Sequence, residues 1–440
     1  MRAYKNATFC GADPGWANAC VGNNGSPGYY DYAKGFSKAA NVLIDQVIAG
    51  RGYDFSVDDF VYPVCFNMRH SVELRLKGAI EELAHVSTAK GQALKFDLVG
   101  SHDIGNIWSF FKRESEALDK RYTEINDKID STISDIAEVD ATGQVFRYPE
   151  SNDNQKHLTD VASINFCRLK IKFAELEKGL DLLHSLNVWL REEYFQGTFT
   201  LSFSRPMLYG LALELPAIAT WSNPEFGAVK RSLMDKYDVG SRELSRAIDK
   251  IKSHYYLSSL IGAPLPLKGL VREQLLEFFD YWVPENPDIQ REPEGEEVFR
   301  FSEADTKQLI QEMIQRVESG KNVWIHFSKV ISAEFLAGIH TLFYFARDKE
   351  YVEYYGRLYE SELSESQAYF RWGEEQVKKS FFHIFNKTNA LDNIVMSLFA
   401  LGCVDLAEEI IARYGVERAL HWLERARSRE LFAFPEYAKY

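Results

Sequence analysis

Arg69, His70, Glu73 and Lys77, close together in one short run, are residue types that handle phosphate esters. An arginine stabilises phosphate charge, an imidazole moves a proton near neutral pH, and a carboxylate orients one of them. The run is Asn67-Met68-Arg69-His70-Ser71-Val72-Glu73, with Lys77 a turn further on as a candidate substrate contact. Spaced four apart, Arg69 and Glu73 pair across one helical turn. Two readings stay open. One is a structural rim ion pair beside an exposed His70. The other is a polar cleft at a helix–helix or dimer junction where Arg69 and His70 are catalytic and Glu73 orients one of them. His102, in Ser101-His102-Asp103-Ile104-Gly105-Asn106-Ile107-Trp108, is a second candidate acid or base. In the first turn of a helix it meets a dipole that disfavours imidazolium. A third segment, Phe146-Arg147-Tyr148-Pro149, offers Arg147 and Tyr148 as substrate-binding residues in a short extended element. The alternative there is a packed hairpin with Arg147 snorkelling outward.

The elements that must position these residues read as helices, and the fold class is mainly α. Apolar residues recur at helical spacing from Tyr30, through Phe36, Ala40, Leu43 and Val47. The next helix spans Phe60 to Leu83, with a stripe of Val61, Val64, Cys65, Met68, Val72, Leu76, Ala79 and Leu83. Arg69 and Glu73 fall at the rim of that stripe beside Ile80, and His70 and Lys77 on its more polar side. Pro63 fits only in the first turn. Ser101 is a candidate N-cap for a helix from His102 to about Lys112. The charged stretch Glu114 to Asp140 reads as a solvated helix or helix pair, and Val161 to Tyr194 as a long helix. The chain divides into a Gly-rich arm (1–28), a helical domain (29–197), a middle helical domain (198–283), a linker with three prolines (284–297) and a C-terminal helical domain (298–440). In the last, Phe343, Tyr344, Phe345, Tyr351, Tyr354 and Tyr355 read as core rather than as a platform for bases.

Composition narrows the function classes. A net charge of −13 argues against broad, non-specific nucleic-acid binding. It leaves room for a local basic cleft, because a sum says nothing about distribution. Cys10, Cys20, Cys65, Cys167 and Cys403 are scattered, with no C-x-x-C pair and no Cys/His zinc spacing. Buried reduced thiols, no metal and no cofactor are the expectation. The N-terminal stretch lacks a signal-peptide pattern and no apolar run is long enough to span a bilayer, so a cytoplasmic protein without a membrane partner is expected.

The three segments taken together, across about residues 28–195, resemble HEPN-like bacterial proteins. The resemblance rests on Arg69-His70-Ser71-Val72-Glu73-Leu74 with Lys77, on His102-Asp103 leading to Trp108, and on Phe146-Arg147-Tyr148-Pro149. It implies a helical bundle that commonly dimerises, here followed by further α-helical domains. Active members are metal-independent ribonucleases serving as toxins or antiphage effectors. On that model Arg69 binds the scissile phosphate and His70 or His102 acts as base or acid. The family pattern, an arginine followed a few residues later by a histidine, is absent here: Arg75 and His85 are too far apart, Arg418 and His421 too close. The rival expectation is a non-catalytic sensor or adaptor that dimerises and holds a protein partner through its C-terminal helices, in a defence or toxin–antitoxin setting.

Overall fold

A computed structural model describes residues 6–150, 155–290 and 318–439. Among these residues the regular structure is helical and no strand forms; an isolated bridge joins Glu150 to Lys156. The chain is mainly α, as its periodicity predicts. No helix among the described residues is long and apolar enough to cross a membrane.

The described chain divides into two compact units, the first made of residues up to Phe195 together with those from Glu436 onward, the second of Gln196–Pro435. In the first unit, residues 6–27 are almost entirely exposed, with one short 3-10 turn at Gly15–Ala17. The helices are α1 (Tyr29–Ala49), α2 (Val57–Ala89), α3 (Ile104–Leu118), α4 (Tyr122–Asp140) and α5 (Phe166–Phe195). α2 is the central element: α1, α3 and α5 all pack on it. Its stripe of Val64, Met68, Val72, Leu76, Ala79 and Leu83 is buried as expected, while Val61 is only half-buried. Each Val, Leu or Met of the stripe contributes about 1.5–3 kcal/mol when fully buried.

Four local expectations are corrected. α2 starts at Val57, so Pro63 lies in its second turn. Pro63 and Asp59 are both exposed, which lets water serve the Asp59 carbonyl that proline cannot pair. α3 starts at Ile104, two residues later than Ser101 would place it, because Asp103 Oδ1 accepts from the Asn106 N–H at 2.9 Å. His102 therefore precedes the helix and lies outside its first turn. Residues 144–148 form a turn, not an extended element: the Arg147 and Tyr148 N–H groups both donate to the Gln144 carbonyl, and Asp140 Oδ1 accepts from Val145 N. Finally, of the cysteines only Cys65 is buried; all five are free thiols, and burial, then the Asp140 charge, pushes Cys65 up to about 12.

At the α3–α4 corner sits a buried charge cluster. Arg121 donates to both carboxylate oxygens of Asp119 and of Glu193, and to the Ala438 carbonyl at 3.1 Å. Tyr194 Oη adds a 2.8 Å bond to Asp119, and all three charged side chains are at most 1% exposed.

The second unit has two apolar centres. α6 (Arg205–Glu214), α7 (Phe226–Tyr237), α8 (Ser241–Ser253) and α9 (Tyr255–Leu260) surround Leu208, Leu211, Leu244 and Ile251. The other centre holds Phe278, Trp282, Phe327, Phe343, Phe345 and Phe381. It is formed by α10 (Arg272–Glu285), α11 (residues 318–327), α12 (Ala333–Phe345), α13 (Tyr354–Trp372), α14 (Glu374–Phe385), α15 (Ala390–Leu401), α16 (Val404–Tyr414) and α17 (Leu423–Arg427). Phe343, Phe345 and Tyr355 are core residues, while Tyr344, Tyr351 and Tyr354 are half-buried. Of the expected linker, Pro284 and Glu285 complete α10, Pro287–Gln290 is a 3-10 turn, and residues 291–297 lie outside the described residues.

Candidate functional site

Arg69, Glu73 and Lys77 are spaced i, i+4, i+8, so α2 stacks them in one row. Because α1, α3 and α5 flank α2, this row is covered. Arg69, Glu73 and Lys77 are 3–4% exposed, not at a rim, and Lys77 is not on a solvent face. The Glu73 carboxylate is the hub. Its Oε1 accepts from Lys77 Nζ at 3.0 Å and meets His102 Nδ1 at 2.9 Å. Its Oε2 accepts from Arg69 Nη1 and lies 3.8 Å from His70 Nδ1. Burial pushes this carboxyl up, but contacts with His70, His102 and Lys77 and the charge of Arg69 outweigh burial. They hold it well below the usual glutamate range.

Arg69 ties three segments together. Its Nε donates to the Asp140 carbonyl at 3.2 Å, and Nη2 to the carbonyls of His102 and of Ala141, the latter at 2.6 Å. Gly143 closes over it with φ +78, where an added Cβ would lie 3.1 Å from Nη1. A methyl there would both strain the backbone and crowd a guanidinium with no room to move. Gly143→Ala is expected to cost about 1–3 kcal/mol of stability in urea unfolding. An unchanged midpoint would show that the loop relaxes freely.

The two histidines differ from the buried row. The His70 side chain is 29% exposed, edge-on to Phe36 at 4.5 Å and stacked on Phe66 at 5.6 Å. His102 is 62% exposed at its side chain. Arg147 is exposed and lies over Phe66 at 5.7 Å and Tyr148 at 5.1 Å, with Nη2 donating to Tyr148 Oη at 3.0 Å. Phe66 thus bridges Arg147 to His70. The three sequence segments meet at one place, although Arg147 and Tyr148 do not touch Glu73.

Both imidazoles turn Nδ1 toward the same carboxylate. Only His102 is within hydrogen-bond distance, and its Nδ1 donating to Glu73 Oε1 leaves its Nε2 without a partner among the described residues; His70 Nδ1, at 3.8 Å, is a near neighbour of the carboxylate. Arg69, Lys77 and Arg147 are matched in number by Glu73, Asp140 and Asp103, so the cations of the site are balanced by carboxylates of its own segments. Arg69 itself has its donors on Glu73 and on carbonyls. Among the described residues, no group of three His, Cys, Asp or Glu side chains could hold a metal ion.

A second polar cluster, in the second unit, escaped sequence reasoning. His340 Nδ1 lies 3.4 Å from Glu362 Oε2, and its Nε2 is 3.3 Å from Ser380 Oγ. The same Nε2 is 3.0 Å from the Ser380 carbonyl, a partner that requires an N–H. The ring is therefore a donor linking α12 to α14, not a base for the serine.

No family model, curated protein or solved structure matches the chain.

Proposed function

We propose that the chain is a HEPN-like protein of the toxin or antiphage-defence type, and that its site cleaves RNA by metal-independent acid–base catalysis. The observation that carries this reading is the His70–Glu73–His102 arrangement, an exposed imidazole hydrogen-bonded to a buried carboxylate with a second, partly exposed imidazole 3.8 Å from the same group. His102, the more exposed, takes the proton of a ribose 2′-hydroxyl at Nε2 as that oxygen attacks phosphorus. His70, protonated, donates its proton to the departing 5′-oxygen, leaving a 2′,3′-cyclic phosphate. Arg147, not the buried Arg69, contacts the phosphate, with Tyr148 beside it. Lys77 acts from beneath by keeping Glu73 charged. A homo-oligomer through the first unit and a protein partner through the C-terminal helices belong to the same proposal.

Labelled RNA incubated with the purified chain in EDTA tests it. His102→Ala and His70→Ala should each lower the cleavage rate by about 10²–10⁴-fold, with a bell-shaped pH profile in the wild type. Absence of cleavage in the wild type at high protein concentration, with any activating partner supplied, sinks the nuclease.

The saturation of Arg69 favours a second reading, a non-catalytic adaptor in which the row on α2 is a structural staple. On that reading His102→Ala leaves partner capture intact and no RNA is cut.

A further inference from the structure

We propose that a cleft in the first unit binds a long-chain carboxylate, its alkyl chain between α4 and α5 and its head on Arg168. This is independent of the RNA-cleavage reading. The cleft has a volume of about 640 Å³, within the range of small-molecule sites. Met68 of α2, Ile136 and Val139 of α4, Phe146 of the turn, and Phe173 and Leu176 of α5 line it. Met68, Phe173 and Leu176 are buried, but Ile136, Val139 and Phe146 remain half-exposed around the opening. Covering these side chains is favourable in proportion to the apolar area removed from water. α2, the turn and residues 161–165 complete the lining between α4 and α5, and an elongated apolar chain matches that cleft.

Charge selects the head group. The α5 wall carries Arg168 and Lys172, and the α4 wall carries Asp135. Lys172 pairs with Glu175 at 3.3 Å. Arg168 is exposed and has no ion pair among the described residues. Arg69 also reaches the wall, but its donors are on Glu73 and backbone carbonyls. The one open guanidinium is therefore that of Arg168, whose planar fork matches a carboxylate. Asp135 repels an anion from the opposite wall and so keeps the head on the α5 side.

Calorimetric titration of the full chain with decanoate, decanol and decyltrimethylammonium, below their aggregation concentrations, decides the proposal. Decanoate should bind saturably at one site, at least about tenfold tighter than the other two, since a charge-assisted pair is worth roughly that factor or more. Arg168→Glu should remove that advantage and Arg168→Lys restore most of it. Ile136→Trp should abolish binding by filling the cleft. Thr132→Trp serves the same purpose on the same wall should Ile136→Trp fail to fold. No decanoate binding, equal binding of the ammonium compound, or indifference to Arg168→Glu or to the folded filling variant would each overturn it. Cleavage of RNA plays no part in the readout, so failure here is distinct from failure of the nuclease.

Discussion

Glu73→Gln should destabilise the first unit by about 3–5 kcal/mol, the usual cost of leaving a buried charge without its partner. Arg69 and Lys77 are both buried against this carboxylate, and the amide cannot replace its charge. Lys77 would lose its only ion-pair partner among the described residues, while Arg69 would keep its carbonyls. Urea unfolding followed by circular dichroism measures the loss, with Glu124→Gln, from an exposed pair with Lys128, as a control expected to change little. A loss below about 1 kcal/mol for Glu73→Gln would show that the cations are served by water or backbone instead. The pH dependence has a fixed sign. The folded-state pKa of Glu73 is depressed, so the unfolded chain takes up its proton first as pH falls. The contribution is complete above the ordinary glutamate range and is lost as pH falls below it toward the depressed value. Glu73→Gln should accordingly narrow its deficit only in acid.

Arg121→Met should have a comparable effect, about 3–5 kcal/mol, by leaving Asp119 and Glu193 as two buried carboxylates without a cation. Burial alone would push Asp119 up, and Arg121 is the main reason that it is depressed. Its share of the stability is present above the ordinary aspartate range and disappears as pH falls through the depressed value. In Arg121→Met that acid-labile share should shrink. Adding Asp119→Asn and Glu193→Gln to Arg121→Met should recover much of the loss, because the penalty comes from leftover charge rather than from missing packing. No recovery in the triple variant would assign the cost to geometry around Tyr194 and Trp189, which bond the same two carboxylates.

The sequence makes the helices legible because burial repeats along them: the α2 stripe and the Leu series of α5 leave little choice. It is less informative about which polar residues are covered. Periodicity places Lys77 outside, on the assumption that a helix has one wet face, but α2 is packed on three sides. The signal that finds the buried row is subtler. Arg69, Glu73 and Lys77 alternate in sign at i, i+4, i+8 directly beside an unbroken apolar stripe, so each charge carries its own counter-charge inward. Ser101 and Asp103 are both good caps, and the choice between them is made by which oxygen reaches a free N–H. The turn at 144–148 was hidden because Phe, Arg and Tyr suit strands, whereas Asp140 and Gly143, outside that motif, bend the chain under Arg69. The meeting of His102 with His70 and Glu73 was legible only as two motifs in order; the approach of His102 comes from α3 packing on α2.

The first unit is discontinuous in sequence, and this sets the order in which it can be finished on the ribosome. Residues from Phe166 through Phe195 emerge early and bring Glu193 to Asp119 and Arg121. The Ala438 carbonyl, the remaining acceptor of Arg121 Nη1, is synthesised only after all of Gln196–Pro435. A nascent chain arrested before Glu436 therefore lacks that backbone acceptor of the cluster.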